Sequence, residues 1–141
     1  MKKFFIRTVM ITAAAFLLTG CAQTTNDAAV SASTDAATAE YRTITPEKAK
    51  ELIGTVGVVL LDVREQDEYD QIRIDGAVLL PVDDVALKAA DVLPDKNATI
   101  IVYCRSGRRS AIAANELVGM GYTGVYDLGG IQDWPYETVS G

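Results

Sequence analysis

Residues 99–112 hold the most reactive chemistry in this chain of 141 residues. An apolar, β-branched run from Thr99 to Tyr103 stops at Cys104. Arg105, Ser106, Gly107, Arg108 and Arg109 follow, and Ser110 then opens a helical pattern. This order predicts a buried strand that delivers a thiol into a tight loop leading to a helix N-terminus. Backbone N–H groups in such a loop can turn inward as an anion cradle, reinforced by the helix dipole and by nearby Arg charges. A thiol held there is expected to ionise more readily than a free one, and the thiolate is the nucleophile. The chemistry implied is a catalytic Cys104 acting on an anionic group bound by residues 105–109.

The elements around that loop alternate. Tyr41–Ile44 reads as a short strand, and Thr45 and Pro46 read as the cap and first position of a helix running to Gly54. Val56–Val63 is a near-continuous apolar run, as in a strand covered on both faces. A short polar helix over Glu65–Tyr69 follows, then an apolar strand over Ala77–Leu80, stopped by Pro81, and a helix over Val82–Ala90. After the Thr99–Tyr103 strand come a helix over Ser110–Met120, a strand over Gly124–Leu128, and a Gly129–Gly130 turn into a segment carrying Trp134. Strands alternating with helices predict an α/β fold: a mainly parallel, five-stranded sheet flanked by helices on both faces. Ligands of such sheets sit beyond the carboxyl ends of the strands, where Cys104 falls.

Composition removes several classes of function. The chain has no histidine and only two cysteines, Cys21 and Cys104. Cys–His proteases, histidine acid–base chemistry, a Cys-x-x-Cys redox pair and a cysteine-rich metal site are therefore excluded, and no metal is expected. The formal net charge of −6 becomes −9 once Lys2, Lys3 and Arg7 are set aside with the N-terminal segment. An acidic chain whose basic residues cluster only at Arg105, Arg108 and Arg109 is not expected to bind nucleic acid.

The first forty residues read as an address. Lys2, Lys3 and Arg7 form a basic region, Val9–Leu18 is an apolar stretch too short to span a bilayer comfortably, and Leu18, Thr19 and Gly20 lead to Cys21. This pattern resembles a bacterial lipobox, which implies a signal peptide over 1–20 and lipidation of Cys21. An ordinary signal peptide with an incidental cysteine is the alternative. Several acyl chains give durable anchoring where one is marginal. Residues 21–40 are the lipidated cysteine and a stretch rich in Ala, Thr, Ser, Asp and Asn, expected to be a disordered tether. At ~5–6 Å × √n its reach is about 25 Å. Residues 41–141 then form one domain in the bacterial cell envelope. Its expected place is the outer face of the cytoplasmic membrane or the periplasm; Ala22, in place of an Asp, favours the outer membrane where there is one.

Four blocks in order resemble the rhodanese family of sulfurtransferases, over Tyr41 to about Tyr136. They are Leu61–Glu65 with Glu68 and Tyr69; Ile74–Ala77 with Leu80 and Pro81; the loop Tyr103–Ser110; and Leu128–Gly130 with Trp134. Where the family often has Gly-His-Ile, Ile72, Arg73 and Ile74 stand here, with an expected effect on local packing and not on the reaction. The resemblance implies that Cys104 takes the outer sulfur of a small anionic donor such as thiosulfate as a covalent persulfide. It then passes that sulfur to a thiol, cyanide or sulfite-type acceptor, with no cofactor. Arg105, Arg108 and Arg109 are the candidate donor contacts. Asp62 and Arg64 are read as structural, Asp62 satisfying backbone groups and Arg64 pairing with a carboxylate such as Glu68. Trp134 is read as a packing anchor, and Gly107, Gly129 and Gly130 as suppliers of backbone freedom.

Two rival functions share these residues. Phosphatases and arsenate reductases also hold a thiolate in an oxyanion cradle, but with a Cys-x5-Arg loop, one residue longer than Cys104 to Arg109. A persulfide- or redox-sensing or docking module without turnover is the other.

Overall fold

A computed structural model describes residues 40–141. The signal peptide, the lipidation of Cys21 and the tether read from the sequence lie outside the described residues, Glu40 apart. Five strands form one sheet: β1 (Arg42–Thr43), β2 (Val58–Asp62), β3 (Val78–Leu79), β4 (Thr99–Cys104) and β5 (Gly124–Gly130). Their order is β1-β5-β4-β2-β3, and every strand pair is parallel. Four α-helices lie between them: α1 (Pro46–Leu52), α2 (Gln66–Gln71), α3 (Val85–Val92) and α4 (Arg108–Gly119). Among the described residues no helix is long and apolar enough to cross a membrane.

The predicted double covering of the sheet is visible in how side chains alternate along β2 and β4. Leu61, Ile100, Val102 and Cys104 enter one core with Val85 and Ala89 of α3 and Ala113, Ala114 and Leu117 of α4. Leu60, Ile101 and Tyr103 enter the other with Ala49 of α1 and Trp134, against which Tyr69 of α2 packs. Successive strand residues point to opposite faces, so a strand buried on both sides reads as a near-continuous apolar run, as β4 does from Ile100 to Cys104.

Local chemistry explains the element ends. Thr45 caps α1 by accepting the Lys48 N–H at its hydroxyl, with Pro46 in the first turn. Glu65 and Glu68 form a reciprocal capping box at α2. The expected helix over Val82–Ala90 divides into a 3-10 turn over Val82–Asp84 and α3. Arg73, the departure noted in the sequence, forms an isolated antiparallel bridge with Val139, and its Nη1 donates to the Gly141 carbonyl at 2.7 Å.

The topology fixes where a ligand can sit. From β2 the chain moves outward through α2 to β3, on one face of the sheet. From β4 it moves the opposite way through α4 to β5, on the other face. The carboxyl ends of β2 and β4 therefore flank the switch point, where a crevice opens in sheets of this kind.

Candidate active site

Cys104 is the last residue of β4, at the carboxyl end of the central strand, and only 1% of its surface is exposed. The chain must reverse at once to start α4 on the same face, and Gly107 makes this possible with a left-handed φ of 95°. A Cβ there would be strained. The turn brings the Gly107 N–H to 3.1 Å from the Cys104 sulfur as a donor.

The helix begins at Arg108, not at Ser110 as the sequence suggested. Cap preferences favour Ser110 and disfavour two cations in a first turn, where the dipole is positive. Gly107 instead takes the cap position, its carbonyl accepting the Ala111 N–H. Ser110 becomes a buried residue of the first turn, its hydroxyl donating to the Gly107 carbonyl at 2.9 Å and lying 3.3 Å from that of Gly129.

These groups set the state of the thiol. Burial pushes the Cys104 pKa up, but the backbone N–H groups of Ser110, Ser106 and Gly107 pull it down further. The net position is below the ordinary thiol value. Hydrogen bonds to the charged form favour it.

β5 completes the cradle by a route the sequence reading missed. Its register against β4 shifts at Val102/Tyr103, so that Gly129 and Gly130 lie opposite Tyr103 and Cys104. The two glycines are part of the strand, beside a bulge, and not the turn expected after it. Gly129 has φ 88°, and its N–H donates to the Asp127 carboxylate. A Cβ on Gly130 would fall 2.6 Å from the Arg105 carbonyl oxygen and 2.7 Å from the Ser106 Cα. Gly130 is thus a close-approach residue, which lets the loop rest on β5. The adjacency of the pair at the end of an apolar run was the available signal for a bulge or close contact.

The five loop residues separate into distinct environments. Arg105, Ser106 and Arg108 are exposed, and Gly107 and Arg109 are half-buried. Arg109 grips Glu68 of α2 in a two-pronged pair, Nη1 to Oε2 at 2.7 Å and Nη2 to Oε1 at 2.8 Å, with Glu65 3.9 Å away. Hydrogen bonding to Arg109 holds the Glu68 carboxyl below its usual range. The hydrogen bond to Glu68 raises the Arg109 pKa, with burial opposing and the charges of Glu68 and Cys104 adding to the rise. Among the described residues, neither the Arg105 nor the Arg108 side chain has a hydrogen-bond or ion-pair partner.

Arg64 does not pair with Glu68, the partner suggested for it from sequence. It folds back onto Asp62, with Nε 2.9 Å from Oδ1 and Nη2 2.6 Å from Oδ2, and Nη2 also reaches the Ile72 carbonyl. Asp62 further accepts the Arg64 backbone N–H at 3.0 Å. The closer carboxylate wins because both side chains are enclosed, Asp62 at 0% and Arg64 at 2% exposure, and a buried charge needs its partner in reach. The Arg64 guanidinium also lies over the Tyr103 ring. Burial and then the neighbouring Asp62 charge keep the Tyr103 phenol far above its ordinary pKa, so it stays neutral. Its oxygen accepts the Ile74 N–H at 3.2 Å.

A cavity of about 370 Å³ opens beside the loop, walled by Arg105, Glu68, Gln71, Ile72, Ile131 and Gln132 over Arg64. These residues follow β2, β4 and β5, so the cavity occupies the switch point. A cavity of about 400 Å³ elsewhere, with Lys50 and Trp134 in its walls, includes no residue of the 105–109 loop.

A parallel sheet covered on both faces, with a buried thiol at the carboxyl end of its central strand, defines an α/β protein of the open-sheet class. The family model described as Rhodanese-like domain matches residues 45–136, and the chain belongs to that family. It is 41% identical over 81 residues to the thiosulfate sulfurtransferase PspE of Escherichia coli (strain K12), covering 57% of this chain and 78% of that one. To the thiosulfate sulfurtransferase GlpE of Coxiella burnetii it is 35% identical over 95 residues, covering 67% and 87%. A solved structure described as a rhodanese with anions from E. coli superposes with a TM-score of 0.57 at 39% identity, covering 60% of this chain and 99% of that one. These relationships support a rhodanese-type sulfurtransferase activity at the level of the family.

Proposed function

We propose that the protein moves sulfane sulfur from an anionic donor such as thiosulfate to a nucleophilic acceptor through a persulfide on Cys104. The Cys104 thiolate attacks the outer sulfur of thiosulfate. A new S–S bond forms, the S–S bond of the donor breaks, and sulfite leaves with the electron pair. Cyanide then attacks the terminal sulfur of the persulfide, thiocyanate departs, and the thiolate is restored. Charge is conserved in each step and no proton transfer is needed, which suits a site in a chain without histidine.

The observation that carries this reading is the Gly107 N–H donating to the Cys104 sulfur at 3.1 Å. Thiolate and persulfide are both anions, and preorganised donors stabilise them without reorganisation. Gly107 donates to the sulfur, Arg105, Arg108 and Arg109 add positive charge for an anionic donor, and Asp62 and Arg64 hold the end of β2 beside it.

Incubating the purified chain with thiosulfate is expected to add the mass of one sulfur atom, and cyanide is expected to remove it. Cys104→Ser should show neither step. The rate of loading should climb with pH as the thiolate forms and level off below the ordinary thiol pKa, since that of Cys104 is lowered. No adduct on the wild type, or steady hydrolysis of p-nitrophenyl phosphate that depends on Cys104, would overturn the reading.

The proposal extends to location: lipid attached at Cys21 anchors the domain at the cell envelope. Cys21→Ala should then move the protein from the membrane fraction to the soluble one. Retention in the membrane pellet would refute the anchor.

A further inference from the structure

β5 carries an acidic side chain on the Cys104 face of the sheet that neither the reaction nor the core accounts for. Val125 enters the same core as Cys104, whereas Tyr126 and Leu128 pack against the opposite one. Alternation along the strand therefore puts Asp127, like Val125, on the Cys104 face. Asp127 is half-buried. Among the described residues its carboxylate has no ion-pair partner and accepts one hydrogen bond, from the Gly129 N–H at 2.9 Å. A carboxylate partly withdrawn from water needs such bonds to offset the loss.

This residue stands where β5 changes register. It lies opposite Val102 of β4 and Thr43 of β1, and its carbonyl accepts the Ile44 N–H at 3.0 Å, so its backbone is held from both sides. Leu128 is then the extra residue of the bulge, and Gly129 and Gly130 fall opposite Tyr103 and Cys104. Gly129 has no side chain to fix its left-handed φ of 88°. The Asp127 side chain fixes it from outside, closing a turn on the N–H two residues ahead. Contacts continue from there to the thiol. The Gly129 carbonyl is 3.3 Å from the Ser110 hydroxyl, and Gly130 rests against Arg105 and Ser106. Bulges beside active sites commonly re-aim the groups around them.

We propose that Asp127 is a positioning residue of the active site, whose carboxylate sets the β5 bulge that supports Ser106 and Ser110 around the Cys104 sulfur. The inference rests on the sulfurtransferase reading above and adds a residue to that same site. Asp127 works as a hydrogen-bond acceptor and not as a charge, and it acts through Gly129. The amides of Ser106 and Ser110 are among the groups that lower the Cys104 pKa, so a loosened bulge is felt at the thiol.

Three substitutions in the full chain separate acceptor from charge. Asp127→Asn keeps an oxygen for the Gly129 N–H and removes the charge. Asp127→Ala removes both. Asp127→Glu keeps the charge and carries the carboxylate one methylene too far for the local turn. The other charges of the site, Arg105, Arg108, the Arg109–Glu68 fork and the Asp62–Arg64 pair, are the same in every variant. Two quantities are read: the rate at which thiosulfate loads Cys104, and the pH midpoint of iodoacetamide alkylation at Cys104, followed by peptide mass. Asn is expected to load within about twofold of wild type. Ala and Glu are expected to load about tenfold more slowly than Asn, the worth of one hydrogen bond to a charged group. Their alkylation midpoint is expected to rise by about one pH unit, the equivalent of that tenfold. Equal behaviour of Ala and Asn would overturn the inference, since the acceptor would then be dispensable. Glu matching wild type while Asn is slowed would overturn it in favour of the charge. Slower loading with an unmoved midpoint would also overturn it and leave Asp127 a merely structural residue. If Asp127→Ala does not fold, the Asn and Glu pair decides alone. If the wild type takes up no sulfur from thiosulfate, the function falls, while the alkylation midpoints still decide the role of Asp127.

Discussion

Two carboxylate–guanidinium forks lie close together in this fold and differ in almost everything except geometry. Asp62 and Arg64 are 0% and 2% exposed, and their contacts reach back to the Arg64 N–H and the Ile72 carbonyl. Glu68 and Arg109 are 23% and 21% exposed, and they join α2 to the first turn of α4 across the mouth of the site. The first pair braces the end of β2 against the turn leading to β3. The second places Arg109 where the Cys104 charge helps raise the Arg109 pKa. Burial separates the roles. An enclosed pair costs a great deal to break and little to leave alone, whereas a half-wet pair can alter the electrostatics of a neighbour with small structural consequence.

The sharpest test of that contrast is truncation on the buried side. Arg64→Ala leaves the Asp62 carboxylate enclosed without its counter-charge and frees the Ile72 carbonyl. Breaking a buried pair in this way costs about 3–5 kcal/mol, a large part of the ~5–15 kcal/mol typical of a domain. The urea midpoint should fall steeply with the slope unchanged. Arg109→Ala, by comparison, should cost about 1 kcal/mol or less. Equal losses would erase the distinction between the pairs.

Between those extremes lies a change that touches neither pair. Gly130→Ala places a methyl group 2.6 Å from the Arg105 carbonyl, so the loop must lift off β5. Overpacking of this kind costs about 1–3 kcal/mol. Displacing catalytic donors by about 1 Å can cost 10²-fold in rate. The expected variant is folded by circular dichroism yet about 100-fold slower in loading Cys104. Near-normal activity would mean that the cradle does not depend on the rest provided by β5.

How legible all this was in the sequence depends on the range of the interaction. The parallel sheet, its two covered faces and the strand-end placement of Cys104 followed from apolar runs and from the abrupt stop at residue 104, which are local signals. The start of α4 did not. Cap preferences pointed to Ser110, while the fold uses the left-handed φ of Gly107 and tolerates two arginines in a first turn. Local rules give way here because the left-handed turn at Gly107 brings its amide to the Cys104 sulfur. The partners of Arg64 and Arg109 were hidden for a different reason. Glu68 is four residues from Arg64 in sequence and 41 from Arg109, yet it meets Arg109, since the crossover from β2 to β3 lays α2 beside the loop. The close approach at Gly130 likewise arises only when β5 pairs with β4 through a shifted register.

The exposed fork allows the finest adjustment. Glu68→Gln keeps one oxygen acceptor for Arg109 and removes the opposing charge, so more of the Arg109 field reaches Cys104. The thiolate should then form at lower pH, and the acid limb of the pH–rate profile for persulfide loading should move down. Stability should change by about 1 kcal/mol or less, with a definite pH signature. The Glu68 pKa is depressed in the folded state, so its contribution is present above the unfolded carboxyl pKa and is lost as pH falls through the folded one. The variant should lack that acid-side loss, and wild type and variant should converge in stability at low pH. Movement of the acid limb upward instead would show that Arg109 swings away without its carboxylate. The fork would then serve to hold a cation near the sulfur, and the contrast with Asp62–Arg64 would narrow to a difference in depth alone.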